Sequence, residues 1–302
     1  MDQPSLPATG FTYAQGRAAG LTKHRLYRAD MQRPFRGVRT IEADLDDHTA
    51  LCRAYATREH AGDVFSHTTA ALLHGLPLPP QHLPAQVHVA VFAPRKPSRV
   101  AGIVPHELRA AGHRIVTVGG LRCLSAEDTW AQLSSILRVE DLVVIGDYLV
   151  TGDEPYSGRP SPWTHDHLLA ALKRHGRRPG VRNLRLALEL VRFGSLSPQE
   201  SRLRLELVAA GLPEPALNHR VVHRGAFVAM VDLAYPDNRV AVEYLGDHHR
   251  TDRAVYQQDI YRRERLAAAG WDTVFVTSAD LAPPIPRAVL SVRRALSRSI
   301  PH

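Results

Sequence analysis

The stretch Phe227 to Leu245, FVAMVDLAYPDNRVAVEYL, decides how this chain is read. Apolar and β-branched residues dominate Phe227 to Ala234 and again Arg239 to Leu245, and Pro236-Asp237-Asn238 between them is a turn signal. The segment therefore predicts two antiparallel strands. With Asp237-Asn238 as a two-residue hairpin turn, the register sets Asp232 opposite Glu243, their Cβ atoms ~4.5–5.5 Å apart. Opposed carboxylates repel, and both lie in apolar runs, AMVDLAY and VAVEYL, where an unpaired charge is costly to bury. A hard divalent ion, Mg²⁺ or Mn²⁺, removes both penalties and accepts further oxygens from a phosphate. The competing reading is that each acid points outward from a half-exposed sheet.

Upstream, Ser197-Pro198-Gln199-Glu200 has the pattern of a capping box with proline at the first helical position. A helix follows through Leu203, Leu207 and Val208 and stops at Gly211-Leu212-Pro213. Leu217 to His223 forms a strand that returns through Arg224-Gly225. Downstream of Leu245, Gly246-Asp247-His248-His249 is a turn, and Asp252 to Ala269 is a long helix carrying Tyr256, Asp259, Arg262 and Arg263. Gly270 closes it, and Trp271 to Thr277 is a further strand. The predicted order is helix, three-stranded meander, helix, strand.

Toward the N-terminus, residues 12 to 19 read as a helix, Gly20-Leu21-Thr22 as a turn with an N-cap, and Lys23 to Met31 as a second helix. Phe35 to Thr40 alternates like a short strand. This is the pattern of a winged helix-turn-helix, with Lys23, Arg25 and Arg28 facing a phosphate backbone. Between 46 and 150, Thr68 to Leu73, Ala126 to Leu137 and Asp141 to Leu149 read as helices and Val87 to Phe92 as a strand. His67, His74, His82, His88 and His106 show no metal-ligand spacing and are read as surface or satisfied core histidines. Thr151 to Trp163, TGDEPYSGRPSPW, is the linker candidate.

Lysine and arginine number 38 against 30 acidic residues, a formal charge of +8. That excess favours a polyanionic partner, and it concentrates in the first forty residues and in Lys173 to Arg185. No apolar run reaches the ~18 residues that span a bilayer, and MDQPSLPATG has no signal-peptide pattern. Cys52 and Cys123 are too few for a disulfide framework or cysteine-based zinc site, so they are read as free thiols. The expected location is cytoplasmic, with no membrane partner.

The run from Ser197 to Leu281, with SPQESRLRLEL, GLPEPALNHRV, VDLAYPDNRVAVEYLGDHHR, QQDIYRRERL and GWDTVFVTSADL, resembles the bacterial family related to very-short-patch repair endonucleases, within the PD-(D/E)XK superfamily. The N-terminal portion resembles, more loosely, AbiEi-type antitoxins. The first resemblance implies that Asp232 and Glu243 hold the metal, that Glu200 adds an acidic group, and that a histidine after the third strand, His248 or His249, handles a proton. The motif's lysine falls at Leu245, a departure that leaves an active or a degenerate site open.

The expected architecture is thus an α/β multidomain chain: a winged-helix-like domain at 1–45, an AbiEi-like α+β domain at 46–150, a linker and basic segment at 151–183, and a restriction-endonuclease-like α-β-β-β-α-β domain at 184–302. The expected function is Mg²⁺- or Mn²⁺-dependent endonucleolytic cleavage of phosphodiester bonds, with double-stranded DNA as partner. The rivals are a DNA-binding transcriptional regulator or antitoxin on a non-catalytic nuclease fold, and a toxin-like RNA nuclease. Glu200 has a second reading as a capping residue worth about 0.5–2 kcal/mol with its serine. Arg262 has two: an ion pair with Asp259, or, with Arg263, a nucleic-acid contact.

Overall fold

The computed structural model describes residues 6, 9–41, 43–58, 62–97, 100–109, 112–245, 253–281 and 287–298, with the side chains of 253–260 outside that set. The protein is a mixed α/β chain in two compact units, one of residues 1–142 and 166–186, the other of residues 143–165 and 187–302. Among the described residues no helix is long and apolar enough to cross a membrane.

The first unit opens with β1 (Phe11–Thr12), α1 (Tyr13–Ala18), α2 (Lys23–Leu26) and β2 (Val38–Arg39). Thr12 caps α1 in a full capping box with Gln15, and the Thr22 side chain caps α2. The helix expected to run to Met31 ends after one turn. Its last carbonyls have other donors: Arg39 Nε bonds Leu26 O at 3.0 Å and Arg33 Nη2 bonds Tyr27 O at 2.7 Å. β1 and β2 pair in an antiparallel two-stranded sheet, with Phe11 opposite Arg39. The expected strand at 35–40 shrinks to its last apolar step, Val38–Arg39.

There follow α3 (His48–Ala56), β3 (Val64–Phe65), α4 (His67–Leu73), β4 (Val87–Phe92), β5 (Ile103–Leu108), β6 (Ile115–Val118), β7 (Leu121–Leu124) and α5 (Ala126–Leu133). The five strands order as β5-β4-β3-β7-β6, with β4 and β5 parallel and β3 antiparallel to β4. Phe35, Tyr55, Phe65, Val87, Val89 and Ile103 fill the core beneath. Burial raises the pKa of Cys52 to about 12 and that of Cys123 to about 11, and both thiols are free. The sequence reading found β4 at its observed bounds and missed β3, β5, β6 and β7, which are short or lack alternation.

α6 (Val139–Thr151), α7 (Glu154–Ser157), α8 (His165–His175) and α9 (Val181–Leu190) come next. Residues 151–163 are packed chain of the second unit rather than a free linker. They contain α7, Ser161 donates to Leu149 O at 2.5 Å, and Thr151 Oγ1 accepts from Gly194 N at 2.9 Å. Turn-rich composition carried no information about these partners.

The rest of the second unit is α10 (Pro198–Ala209), β8 (Ala216–His223), β9 (Ala226–Tyr235), β10 (Val240–Tyr244), α11 (Arg253–Ala268), β11 (Asp272–Val276) and α12 (Arg287–Arg298). Its sheet runs β11-β10-β9-β8, antiparallel except for the parallel β10-β11 pair. Arg224 and Gly225, at φ 51° and 80°, make the left-handed turn between β8 and β9. α10 and α12 bury Leu203, Leu207, Val289 and Val292 against Leu233, Val240 and Val242. Leu266 and Ala269, at the end of α11, join a second cluster with Val231 and Ala241. β9 and β10 thus contribute apolar residues to two separate clusters.

A buried charged cluster anchors this unit. Arg204 Nη2 lies 3.0 Å from Asp147 Oδ2, with side chains 1% and 0% exposed, and Arg204 Nη1 reaches Glu214 at 2.9 Å. Asp147 also accepts from Ser201 Oγ and from the Arg192 backbone N–H, both at 2.7 Å.

Candidate functional site

The β9-β10 register pairs Val240 with Tyr235, Ala241 with Ala234 and Val242 with Leu233, the alignment expected from the sequence. The connection is wider than the two-residue turn anticipated: Pro236–Asn238 form a 3₁₀ turn and Arg239 is left-handed at φ 51°. One step beyond Val242 and Leu233, the Asp232 side chain enters the pattern. Its Oδ2 accepts from the Tyr244 backbone N–H at 2.8 Å.

Glu243 is buried, at 7% exposure. Two carboxylates in this register need a positive neighbour, and α11 supplies one. Arg262 Nη2 lies 2.8 Å from Glu243 Oε1 and 3.0 Å from Oε2, and it also donates to the Met230 carbonyl. Neither reading of Arg262 made from sequence named this partner. The Asp259 side chain lies outside the described residues. Helix periodicity sets which residues share a face, but the tertiary packing of α11 on β9 and β10 decides the partner.

Glu200, in the first turn of α10, is the third acid. Its backbone N–H is capped by Ser197 Oγ at 3.2 Å. The carboxylate reaches past the cap residue: Oε2 accepts from Leu196 N at 2.9 Å and from Asn218 Nδ2 at 2.7 Å. Asn218 takes a left-handed backbone, φ 43°, and donates to Gly194 O as well. Burial and then the charge of Asp232 raise the Glu200 pKa, against the lowering effect of those hydrogen bonds. The mutual repulsion places Glu200 and Asp232 in one electrostatic neighbourhood.

Tyr156, on α7, belongs to the same neighbourhood. Its ring is mostly exposed, yet partial desolvation, then Glu200 and Asp232, and further on Glu243, raise the phenol's pKa, while Arg262 lowers it. No signal in TGDEPYSGRPSPW points to this role, because it depends on where the 151–163 segment packs. Leu245, at the motif's lysine position, is half-buried and donates its N–H to Val276 O at 2.7 Å. His248 and His249 lie outside the described residues.

The remaining expected contacts are distributed elsewhere. Arg263 stacks its guanidinium over the Phe275 ring at 3.8 Å. Lys23 is exposed on α2, while Arg25 and Arg28 approach Asp30 at 3.1 and 3.8 Å. Part of the second basic run is structural: Arg174 pairs with the buried Asp128 at 2.7 Å, and Arg178 bonds the carbonyls of Arg174 and His175. The net positive charge therefore overstates the arginine available to a polyanion.

The middle region holds an arrangement that sequence spacing did not reveal. His67, His88 and His106, read as unrelated, stand together with one ring nitrogen of each within 4.8 Å of the others. Burial lowers all three pKa values, His67 to about 2 and His88 to about 4, and neighbouring imidazoles add to the effect at those two.

No family model matches the chain, and no solved structure matches it. It is similar to an uncharacterized protein of Mycobacterium tuberculosis strain CDC 1551 / Oshkosh, and to one of strain ATCC 25618 / H37Rv. Each match is 31% identical over 123 residues, covering 40% of this chain and 45% of the relative. The chain thus spans about half the length of the curated relatives it matches.

Proposed function

We propose that the second unit is a metal-dependent endonuclease of the PD-(D/E)XK, very-short-patch-repair-like type, hydrolysing phosphodiester bonds in double-stranded DNA. The observation that supports this reading is that Asp232 and Glu243 stand on paired strands in the register the motif needs, with the charge of Asp232 also felt at Glu200 on α10. Carboxylate oxygens are the donor set of Mg²⁺ and Mn²⁺. Such an ion, when bound, supplies an activated water and neutralises charge developing on the phosphate.

The chain's own residues would divide the remaining work. Asp232 and Glu243 hold the ion, with Glu243 exchanging the Arg262 guanidinium for it. Glu200, steadied by Asn218 and the Leu196 N–H, contributes further negative charge. The Tyr156 phenol, its pKa raised, stays protonated and donates a hydrogen bond to a phosphate oxygen. His248 or His249 transfers the proton, and Lys23, Arg25 and Arg28 of the winged-helix-like segment position the duplex.

Two observations favour a second reading, a DNA-binding regulator or antitoxin with a degenerate nuclease fold. Glu243 is already neutralised by Arg262, and Leu245 offers no charge to a phosphate. Nicking of supercoiled plasmid by the full chain in Mg²⁺ or Mn²⁺ decides between them, with Asp232→Asn as control because it retains an acceptor for Tyr244 N–H. The endonuclease reading expects cleavage that falls at least ~10²-fold in Asp232→Asn. An inactive parent that gains cleavage on Leu245→Lys identifies a degenerate nuclease. Cleavage of RNA in preference to DNA moves the substrate class.

A further inference from the structure

The histidine cluster lies in the first unit, and none of its residues belongs to the acidic site. It is built by three neighbouring chain segments. β4 and β5 run parallel, with His88 opposite Val104 and Ala90 opposite His106, so His88 and His106 share one face two positions apart. His67 leaves the end of β3, the next strand over, where Ser66 N–H donates to His88 O at 3.1 Å. Adjacent strands thus bring together residues separated by 21 and 18 positions, a spacing with no sequence signature of a site.

Local contacts fix the donors. His88 Nδ1 and His106 Nε2 are 3.0 Å apart, and the His67 ring stacks on His106 with centroids 3.7 Å apart. Ser66 Oγ lies 3.0 Å from His67 Nδ1, which leaves Nε2 of that ring for the cluster. His67 is held at φ 52°, and its N–H donates to Gln132 Oε1 at 2.8 Å. A left-handed backbone at a non-glycine residue is strained and persists only where the surroundings impose it. Here it aims an imidazole at two others. Thr69 Oγ1 accepts from His88 N–H at 2.9 Å and holds the β4 residue in place.

We infer that His67, His88 and His106 form a binding site for a borderline first-row transition-metal ion, Zn²⁺ being the best match, with a fourth position open to water. A tetrahedral zinc with Zn–N near ~2.05 Å sets its nitrogens roughly 3.3 Å apart, close to the His88–His106 separation. Bringing in the third nitrogen takes rotation of the His67 ring about Cβ–Cγ, a broad and soft torsion. Binding replaces the single imidazole–imidazole hydrogen bond, with the ring protons moving to the outward nitrogens. Three neutral imidazoles suit zinc, copper or nickel and do not suit Mg²⁺, which demands oxygen ligands. The open fourth position distinguishes the site from a closed structural zinc centre.

The test uses untagged full-length protein stripped with EDTA and titrated with Zn²⁺ by calorimetry, with Co²⁺ as a spectroscopic substitute. One equivalent should bind, and Co²⁺ should give the visible absorption of a tetrahedral nitrogen-rich centre. His88→Gln and His106→Gln should each weaken Zn²⁺ binding by more than ~100-fold, the upper end of what loss of an outer-shell partner costs. Asp232→Asn should leave it unchanged, which separates this site from the proposed nuclease centre. Should either histidine variant fail to fold by circular dichroism, imidazole ¹⁵N resonances of the parent decide the matter: those of His67, His88 and His106 should shift together at one equivalent of Zn²⁺. Absence of stoichiometric binding, binding that survives both substitutions, or shifts at other histidines would overturn the assignment and leave the cluster a packed, hydrogen-bonded trio.

Discussion

Arg262 on α11 grips the Glu243 carboxylate with a single nitrogen, Nη2, at 2.8 and 3.0 Å from its two oxygens. The sequence argument required a cation at the opposed acids of β9 and β10, and the chain supplies one from its own helix. A divalent ion at Asp232 and Glu243 must therefore compete with a guanidinium already in place.

Replacing Arg262 with Met keeps the apolar stem and removes that competitor. Mn²⁺ affinity of the full chain, read by calorimetry, should rise, because the guanidinium that competes for Glu243 is gone. Without metal the same variant should lose about 1–3 kcal/mol of stability, since a buried carboxylate loses its ion pair to Arg262. Unchanged Mn²⁺ affinity together with normal folding would mean that Arg262 does not guard the site.

The Asp147–Arg204 pair is the most deeply buried ion pair among the described residues, and its energetics are asymmetric. Arg204→Met should destabilise by about 3–5 kcal/mol, because Asp147 loses its main countercharge while remaining buried. Combining it with Asp147→Asn should recover part of the loss, since Asn still accepts from Ser201 or from the Arg192 N–H without carrying charge. Urea titrations of the single and double variants check this. Equal losses in both would show that packing, not charge, sets the cost.

His74 links pH to stability. Burial, the leading cause, lowers its pKa below 6.5, against the raising effect of its bond to Leu124 O at 2.7 Å and of Glu127. The folded state then binds fewer protons than the unfolded chain, so this contribution is fully present above pH ~6.5 and is lost as pH falls toward the lowered folded value. The slope is at most about 1.4 kcal/mol per pH unit for one group. His74→Gln should shrink the drop in urea midpoint between pH 7.5 and 5.5 without removing it, since His48 and His113 are shifted the same way. A steeper drop in the variant would reverse the sign.

Just after α2, Asp30 restrains Arg25 and Arg28 in surface ion pairs that contribute little to stability. Asp30→Asn should free both arginines and tighten binding to duplex DNA. Lys23→Ala combined with Arg25→Ala and Arg28→Ala should weaken it and flatten the salt dependence, by ~0.9 in the logarithmic slope per lost phosphate contact. Fluorescence anisotropy across a salt series reads both effects. Identical slopes in all three proteins would remove α2 from the interface.

The amino-acid sequence by itself determined what local periodicity and end signals control. The capped start of α10 at Ser197, the bounds of β4, the succession of β8, β9, β10, α11 and β11, and the register that aligns β9 with β10 all follow from alternation, turn residues and caps within a few positions. Only the tertiary structure decided which distant groups meet. Strand adjacency in the five-stranded sheet joined His67, His88 and His106, and packing of α11 turned Arg262 onto Glu243. The fold of residues 151–163 brought Tyr156 under the influence of the acids' charge, and Arg39 and Arg33 bond the Leu26 and Tyr27 carbonyls where the one-turn helix ends. The physical reason is the same in each case: a hydrogen bond or charge contact between residues far apart in the chain depends on strand order and helix docking, and no short window of sequence encodes either.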